Sequence, residues 1–392
     1  MGEITGINFN GDLIDAFRNK VNEEPFFSEI YNNVNGKNHW NLLCSAMDWI
    51  TVASDGLPEI NLNPKGMGYN HIQTINLMQY IVTIDILVES IIQIFRVLDP
   101  GNPYPLAKNN DIFKHEKLSD DIYFKHIRAV FSTHPINLSS LDGVKRSDGE
   151  RFFASWVSQN GLDDDFHVFL YSNDPEKDDT NSFGIRITQI NIYAISRYEL
   201  LDQLTLLVDK IIKKHIDDYL KKVIPTVDTI IDQLDILYIE NEKRFGKSYG
   251  YSYSINYLKR LFETEIEMFD FGDECTAIFN KYKDHMLIGV SKIKEGLQRM
   301  SDDEFYLRHK ASGYEFEKIY SYFSDGVHPI GKEYFHGLIY YEKLPSKLIE
   351  INDMWLNQLM LDALLFSLCE ETGKERIKLN EIVEIIYPYN KK

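Results

Sequence analysis

The stretch that most limits what this chain can fold into is IQTINLMQYIVTIDILVESIIQIFRVL, residues 72–98. As an α-helix it is long enough to cross a bilayer. It carries Asp85 and Glu89 in its middle, however, and a carboxylate at the centre of a bilayer costs a few kcal/mol. The segment therefore predicts a helix buried inside a water-soluble protein. Two carboxylates four residues apart on an apolar helix also repel each other unless a cation faces them. A cation from elsewhere in the chain is therefore expected to face them.

The 392 residues, 44% of them hydrophobic, hold ample material for a packed core and more length than one typical domain uses. Acidic residues outnumber basic ones 60 to 42, a formal charge of −18. Such a chain repels polyanions at long range, so a broad nucleic-acid surface and DNA binding are not expected, while a small local basic site is compatible. Cys44, Cys275 and Cys369 are far apart and lack any metal-ligand spacing, so they read as buried thiols. The opening residues, MGEITGINFNGDLIDAF, have neither the basic nor the apolar stretch of a secretory signal, and cytoplasmic residence is expected.

Helical spacing runs through LIDAFRNKV and HWNLLCSAMDWITVA before the long apolar helix, which DPGNPYP closes. LSDDIYFKHIRAVFST has Ser119 or Asp120 to cap a helix start, with further acid in its first turn. Pro135 disfavours helical backbone at His134, so this helix is expected to end at Thr133 or His134. The pattern then changes. DFHVFLYS and SFGIRITQINIYAI alternate apolar and polar residues around a turn-rich acidic connector, which predicts a β-hairpin and no other sheet. From Tyr198 onward the period is helical, with an interruption at RFGKSYGYSYS that places the domain boundary near 225–250. The expected fold is mainly α: a helical-bundle domain over 1–160, a β-hairpin insertion at 161–195, long connecting helices at 196–240, and a helical C-terminal domain at 241–392.

Several function classes lose support because their motifs are missing: no phosphate-binding GxxxxGK[ST], no GxGxxG after a strand, no GxSxG and no HExxH. The sequence offers instead FKHIRAVFSTHP, residues 124–135, in which Arg128 precedes His134 by six positions. Cleavage of RNA through its own 2′-hydroxyl needs a group that exchanges protons near neutral pH, which is histidine's range, and a cation for the charge growing on phosphate. Arginine supplies that cation with a planar fork of donors, so the chemistry requires no metal and no cofactor. The spacing alone is weak, since a chain with 11 histidines holds about one such pair by chance. Six regular helical steps also leave the two side chains about 120° apart, so His134 must leave the helix, or a second chain must contribute. Arg128 is the natural partner for Asp85 and Glu89.

An apolar helix with embedded acid, followed by a short helix bearing IRAVFSTHP, resembles the HEPN superfamily of all-helical domains, whose signature is Arg, four to six residues, His. The resemblance covers roughly residues 20–140. It implies a metal-independent endoribonuclease of a defence or toxin system, acting as a homodimer on RNA. Arg128 and His134 are then the catalytic pair, with Asp85 or Glu89 as supporting acid. Ala129 departs from the pattern, because the family often places Asn, Asp or His there. Lys145, Arg146 and Arg151, in GVKRSDGER just beyond the motif, are expected to contact phosphate. The alternative is a non-catalytic helical adaptor or regulatory protein acting through protein contacts, with Arg128 in a structural ion pair and His134 capping its own helix. His328 and His336, in DGVHPIGKEYFHG, lack a clear third metal ligand and read as part of a solvated loop.

Overall fold

The computed structural model describes residues 6–62, 70–144, 149–156, 164–176, 181–302 and 310–383. The protein is mainly α-helical, and it divides into two compact units, Met1–Lys214 and His215–Lys392.

In the first unit, α1 (Gly11–Val21), α2 (Pro25–Asn32) and α3 (His39–Gly56) precede the long apolar helix, α4 (His71–Leu98). Asn70 starts α4 by accepting the Gln73 amide at 3.1 Å, and Asp99 with Pro100 ends it. Leu77, Ile81, Ile84, Leu87, Ile91 and Ile94 are wholly buried, so α4 is a core helix of this unit. No helix among the described residues is long and apolar enough to cross a membrane.

A short helix, α5 (Asp120–Arg128), follows and widens into a π turn over Ala129–Thr133. The His134 amide closes that turn on the Ala129 carbonyl at 3.0 Å. His134 itself has φ −138° and ψ 35°, outside the helix, as Pro135 requires. Next come strands β1 (Phe152–Trp156), β2 (Phe166–Ser172) and β3 (Asn181–Ile185), forming an antiparallel sheet in the order β1-β2-β3. The expected hairpin is the β2–β3 pair, and β1 is an unforeseen third strand. RITQINIYAI is not strand beyond Ile185: it forms α6 (Ile187–Tyr198), whose buried residues Ile187, Ile190, Tyr193, Ala194 and Arg197 recur every three to four positions. α7 (Leu200–Leu220) follows, and the division between the two units falls inside it.

The second unit holds α8 (Ile230–Phe245), α9 (Ser252–Glu263), α10 (Asp273–Gln298), α11 (Tyr314–Asp325), α12 (Pro329–Tyr340), α13 (Lys347–Ile351) and α14 (Met354–Thr372). A short parallel pair, β4 (Ala311–Ser312) with β5 (Ile377–Lys378), is a second sheet where only one was expected. The tyrosine-rich break at 246–251 lies inside this unit, between α8 and α9, and so joins two helices of one body. Asp362 of α14 is buried and accepts the hydroxyls of Tyr257 at 2.6 Å and Tyr320 at 2.5 Å. Burial pushes both phenols well above their ordinary range, which keeps them protonated as donors.

His126 on α5 is 7% exposed and bonds the Leu141 carbonyl at 3.0 Å. Desolvation is the main cause of a pKa below the ordinary 6.5. The unfolded chain therefore binds a proton that the folded chain refuses, so this contribution is complete above pH 6.5 and is lost as acid is added below it. We expect the unfolding free energy to fall in that window by at most about 1.4 kcal/mol per pH unit from this group. A His126→Gln chain should show a shallower slope in thermal melts run across the same pH range.

Candidate functional site

Asp85 lies on the middle of α4, and Arg128 ends the regular part of α5. The Arg128 Nη1 group donates to Asp85 Oδ2 in a close, charge-assisted pair, with side chains 30% and 22% exposed. This is the cation that the embedded carboxylate demanded. Glu89 does not share it. Its Oε1 accepts from Gln93 Nε2 at 2.6 Å and Arg96 Nη1 at 3.2 Å, both on its own helix. Of the two expected supporting acids, only Asp85 touches Arg128.

Arg128 Nε is buried and has no hydrogen-bond partner. The guanidinium is thus held at one nitrogen and unsatisfied at another, which is costly unless an acceptor arrives. His134 is exposed just past the π turn, and no hydrogen bond joins it to Arg128, Asp85 or Glu89. Its backbone groups are used instead: the amide on Ala129, and the carbonyl accepting the Asn137 amide at 3.0 Å.

What fixes this turn in space is a set of contacts made by the acid pair that opens α5. Asp120 is buried and accepts the Phe113 amide at 2.9 Å, locking the preceding loop onto the start of α5. Asp121 accepts the Tyr193 hydroxyl at 3.0 Å, Arg197 Nε at 3.2 Å and Arg197 Nη2 at 3.1 Å, along with the Tyr104 hydroxyl. Arg197 is completely buried, and its guanidinium lies 4.1 Å from the Tyr193 ring centroid. The only sequence signal was the acid pair opening α5, which reads as ordinary helix-end chemistry. On the other side, Phe131 of the π turn packs on Trp156 and Phe183 of the sheet, with centroids 5.6 and 5.9 Å apart. The exit from the turn is tied to β1, because Ala154 donates to the Pro135 carbonyl at 2.7 Å while Leu138 and Phe152 exchange two backbone bonds.

Lys145 and Arg146 lie outside the described residues. Arg151 is exposed at the start of β1, and its guanidinium makes no ion pair or hydrogen bond among the described residues. His328 lies in the loop before α12 and caps that helix by accepting the Gly331 amide at 3.2 Å, whereas His336 sits within the helix. Among the described residues no group of three or more His, Cys, Asp or Glu side chains could hold a metal ion. Cys369 is buried, as expected of the thiols, but Cys44 and Cys275 are half-buried. In the second unit a groove of about 640 Å³ runs between the chain following α7 and the face of α10, lined by Val223, Ile224, Val227, Leu287, Val290 and Lys294 among others.

The chain was compared with protein-family models, curated proteins and solved structures, and none of them matches it.

Proposed function

We propose that the protein is an endoribonuclease of the HEPN type, cleaving RNA by attack of the 2′-hydroxyl with Arg128 and His134 as the catalytic pair. The observation that carries this reading is the state of Arg128: anchored by Asp85, yet with a buried Nε donor lacking an acceptor, one π turn away from an exposed imidazole. The Arg128 side chain is 30% exposed, so a phosphate can meet the donors of the guanidinium that Asp85 leaves free. In the proposed step His134 takes the 2′-hydroxyl proton, the freed oxygen attacks phosphorus, and the bond to the 5′-oxygen breaks. That oxygen leaves as a hydroxyl after protonation by water or by the second copy's imidazole, and a 2′,3′-cyclic phosphate remains. Arg128 stabilises the extra negative charge on the phosphoryl oxygens. Asp85 keeps the guanidinium aimed, and π turns of this kind occur often at functional sites. A homodimer would supply the second imidazole, and a defence or toxin role follows from the resemblance.

Purified protein should cleave single-stranded RNA in the presence of a chelator, leaving cyclic phosphate ends. His134→Ala and Arg128→Ala should each slow cleavage by about 10²–10⁴-fold. His134 is exposed, so its variant should keep the wild-type circular dichroism spectrum. Equal rates for wild type and His134→Ala would sink the proposal.

A second reading, a helical adaptor acting through protein contacts, draws on the apolar groove of the second unit, where Val223 and Leu287 are exposed. A dimer interface that seals both Arg128 side chains away from solvent would favour it, since RNA could not then reach them.

A further inference from the structure

Alternation along β1 and β2 divides the three-stranded sheet into two chemically different faces. Phe152, Phe166, Val168, Leu170, Phe183 and Ile185 are buried on the inner one. The outer face carries Arg151 just before β1, Phe153 and Ser155 from β1, His167, Phe169 and Tyr171 from β2, and Ser182 and Gly184 from β3. Its apolar members are all rings. Phe153 is paired across the ladder with Tyr171, and the two are 37% and 41% exposed. Phe169 stands between Ser155 and Ser182 on the neighbouring strands, and His167 lies opposite Gly184. The short neighbours of Phe169 leave room beside its ring, where aliphatic ones would have packed against it.

Charge is distributed unevenly across this face. At one end, Arg151 spends only backbone groups on the ladder, its amide donating to Asn173 Oδ1 at 2.9 Å, and its guanidinium makes no ion pair among the described residues. At the other end the Asp164 carboxylate lies over Gly184, where a Cβ would fall 1.9 Å from Asp164 Oδ2, and it pairs with Arg186 at 3.6 Å. Asp164 is thus matched by Arg186, while Arg151 is left as a cation that a phosphate can meet. Phe153 and Tyr171 face each other across the ladder about 5 Å apart, and Phe169 lies about 7 Å along β2 from Tyr171, whereas bases in a duplex stack ~3.4 Å apart. Only bases parted from one another can each lie on a ring of their own.

We propose that this outer face is a stacking platform for single-stranded RNA, with Phe153 and Tyr171 receiving bases and Arg151 a phosphate. The inference rests on reading the Arg128–His134 turn as an RNA site, and it extends that site. The strand bearing Phe153 is hydrogen-bonded to Pro135, the residue after His134, so RNA on the platform is delivered beside the turn.

The test uses the full chain with His134→Ala, which prevents cleavage, and fluorescein-labelled oligouridylate read by fluorescence anisotropy. Adding Phe153→Leu with Tyr171→Leu should weaken binding about tenfold or more, while Phe153→Tyr should stay within about twofold. An abasic strand of equal length should bind both backgrounds alike. Separately, Arg151→Gln should weaken binding and reduce the salt slope by about one. The platform is overturned if wild type fails to bind oligouridylate, or if the double-leucine chain binds it unchanged. It is equally overturned if that chain keeps its RNA affinity but changes its mass in sedimentation, which would make the face a protein contact. Ring-dependent binding without cleavage by the unmutated chain keeps the platform and removes the nuclease, so the two can fail separately.

Discussion

Replacing Arg197 by methionine should destabilise the protein by about 3–5 kcal/mol, the usual cost of stripping a buried carboxylate of its cation. Arg197 is completely buried, gives two hydrogen bonds to Asp121 and one to Ser196 at 3.0 Å, and lies against the Tyr193 ring. Methionine fills much of the same space but offers no donor. Asp121, only 13% exposed, would then keep two phenols that cannot neutralise it. Adding Asp121→Asn removes the stranded charge, so the double variant should be less damaged than the two single losses summed, by 1 kcal/mol or more on the scale of ~0.5–3 found for residues in contact. Urea unfolding of the four chains completes the cycle. A single-variant loss below about 1 kcal/mol would show that the cluster is not what holds α5. Because Arg128 closes the helix that Asp121 opens, the same variant should also lower the RNA cleavage proposed for this turn.

The features legible in the sequence were those where one local rule dominates. α4 was readable because length, apolarity and the Asp99–Pro100 stop agree. The Arg128–Asp85 pair was readable because a carboxylate on an apolar helix requires a cation. Glu89 obeyed the same rule differently, through Gln93 and Arg96 on its own helix, and nothing in the spacing separates the two solutions. RITQINIYAI was misread because a short β-branched run fits both periods. Tertiary demand decided it, since only a helix places Tyr193 and Arg197 together on Asp121. The strand FFASW escaped notice because it is short and gains partners on both edges from distant segments, Leu138 on one side and β2 on the other. The π turn has no sequence signature. It is known only from the His134 amide reaching back five residues instead of four.

Arg244 carries the second large effect, because it holds helix ends by their carbonyls as well as balancing a charge. Its guanidinium is wholly buried, with Nη1 donating to the Tyr219 carbonyl at 2.8 Å and the Leu297 carbonyl at 3.2 Å. Nη2 donates to the Lys222 carbonyl at 2.9 Å and to Glu240 at 3.2 Å. Tyr219 and Leu297 belong to the last turns of α7 and α10, where carbonyls lack intrahelical partners and the helix dipoles favour a cation. Arg244→Met removes the charged donor from three carbonyls and from Glu240, which keeps only Lys243 at 2.8 Å among side-chain cations, so a loss of about 3–5 kcal/mol is expected from the four charge-assisted bonds. Arg244→Lys keeps the charge but not the fork, and a single ammonium cannot reach all these acceptors in the same directions, so most of the loss should remain. Hydrogen exchange separates this from a general charge effect: the amides of the last turns of α7 and α10 should lose protection together, ahead of those in α14. If Arg244→Lys restored full stability, charge alone would suffice, and the carbonyl-binding role assigned to the guanidinium would be wrong.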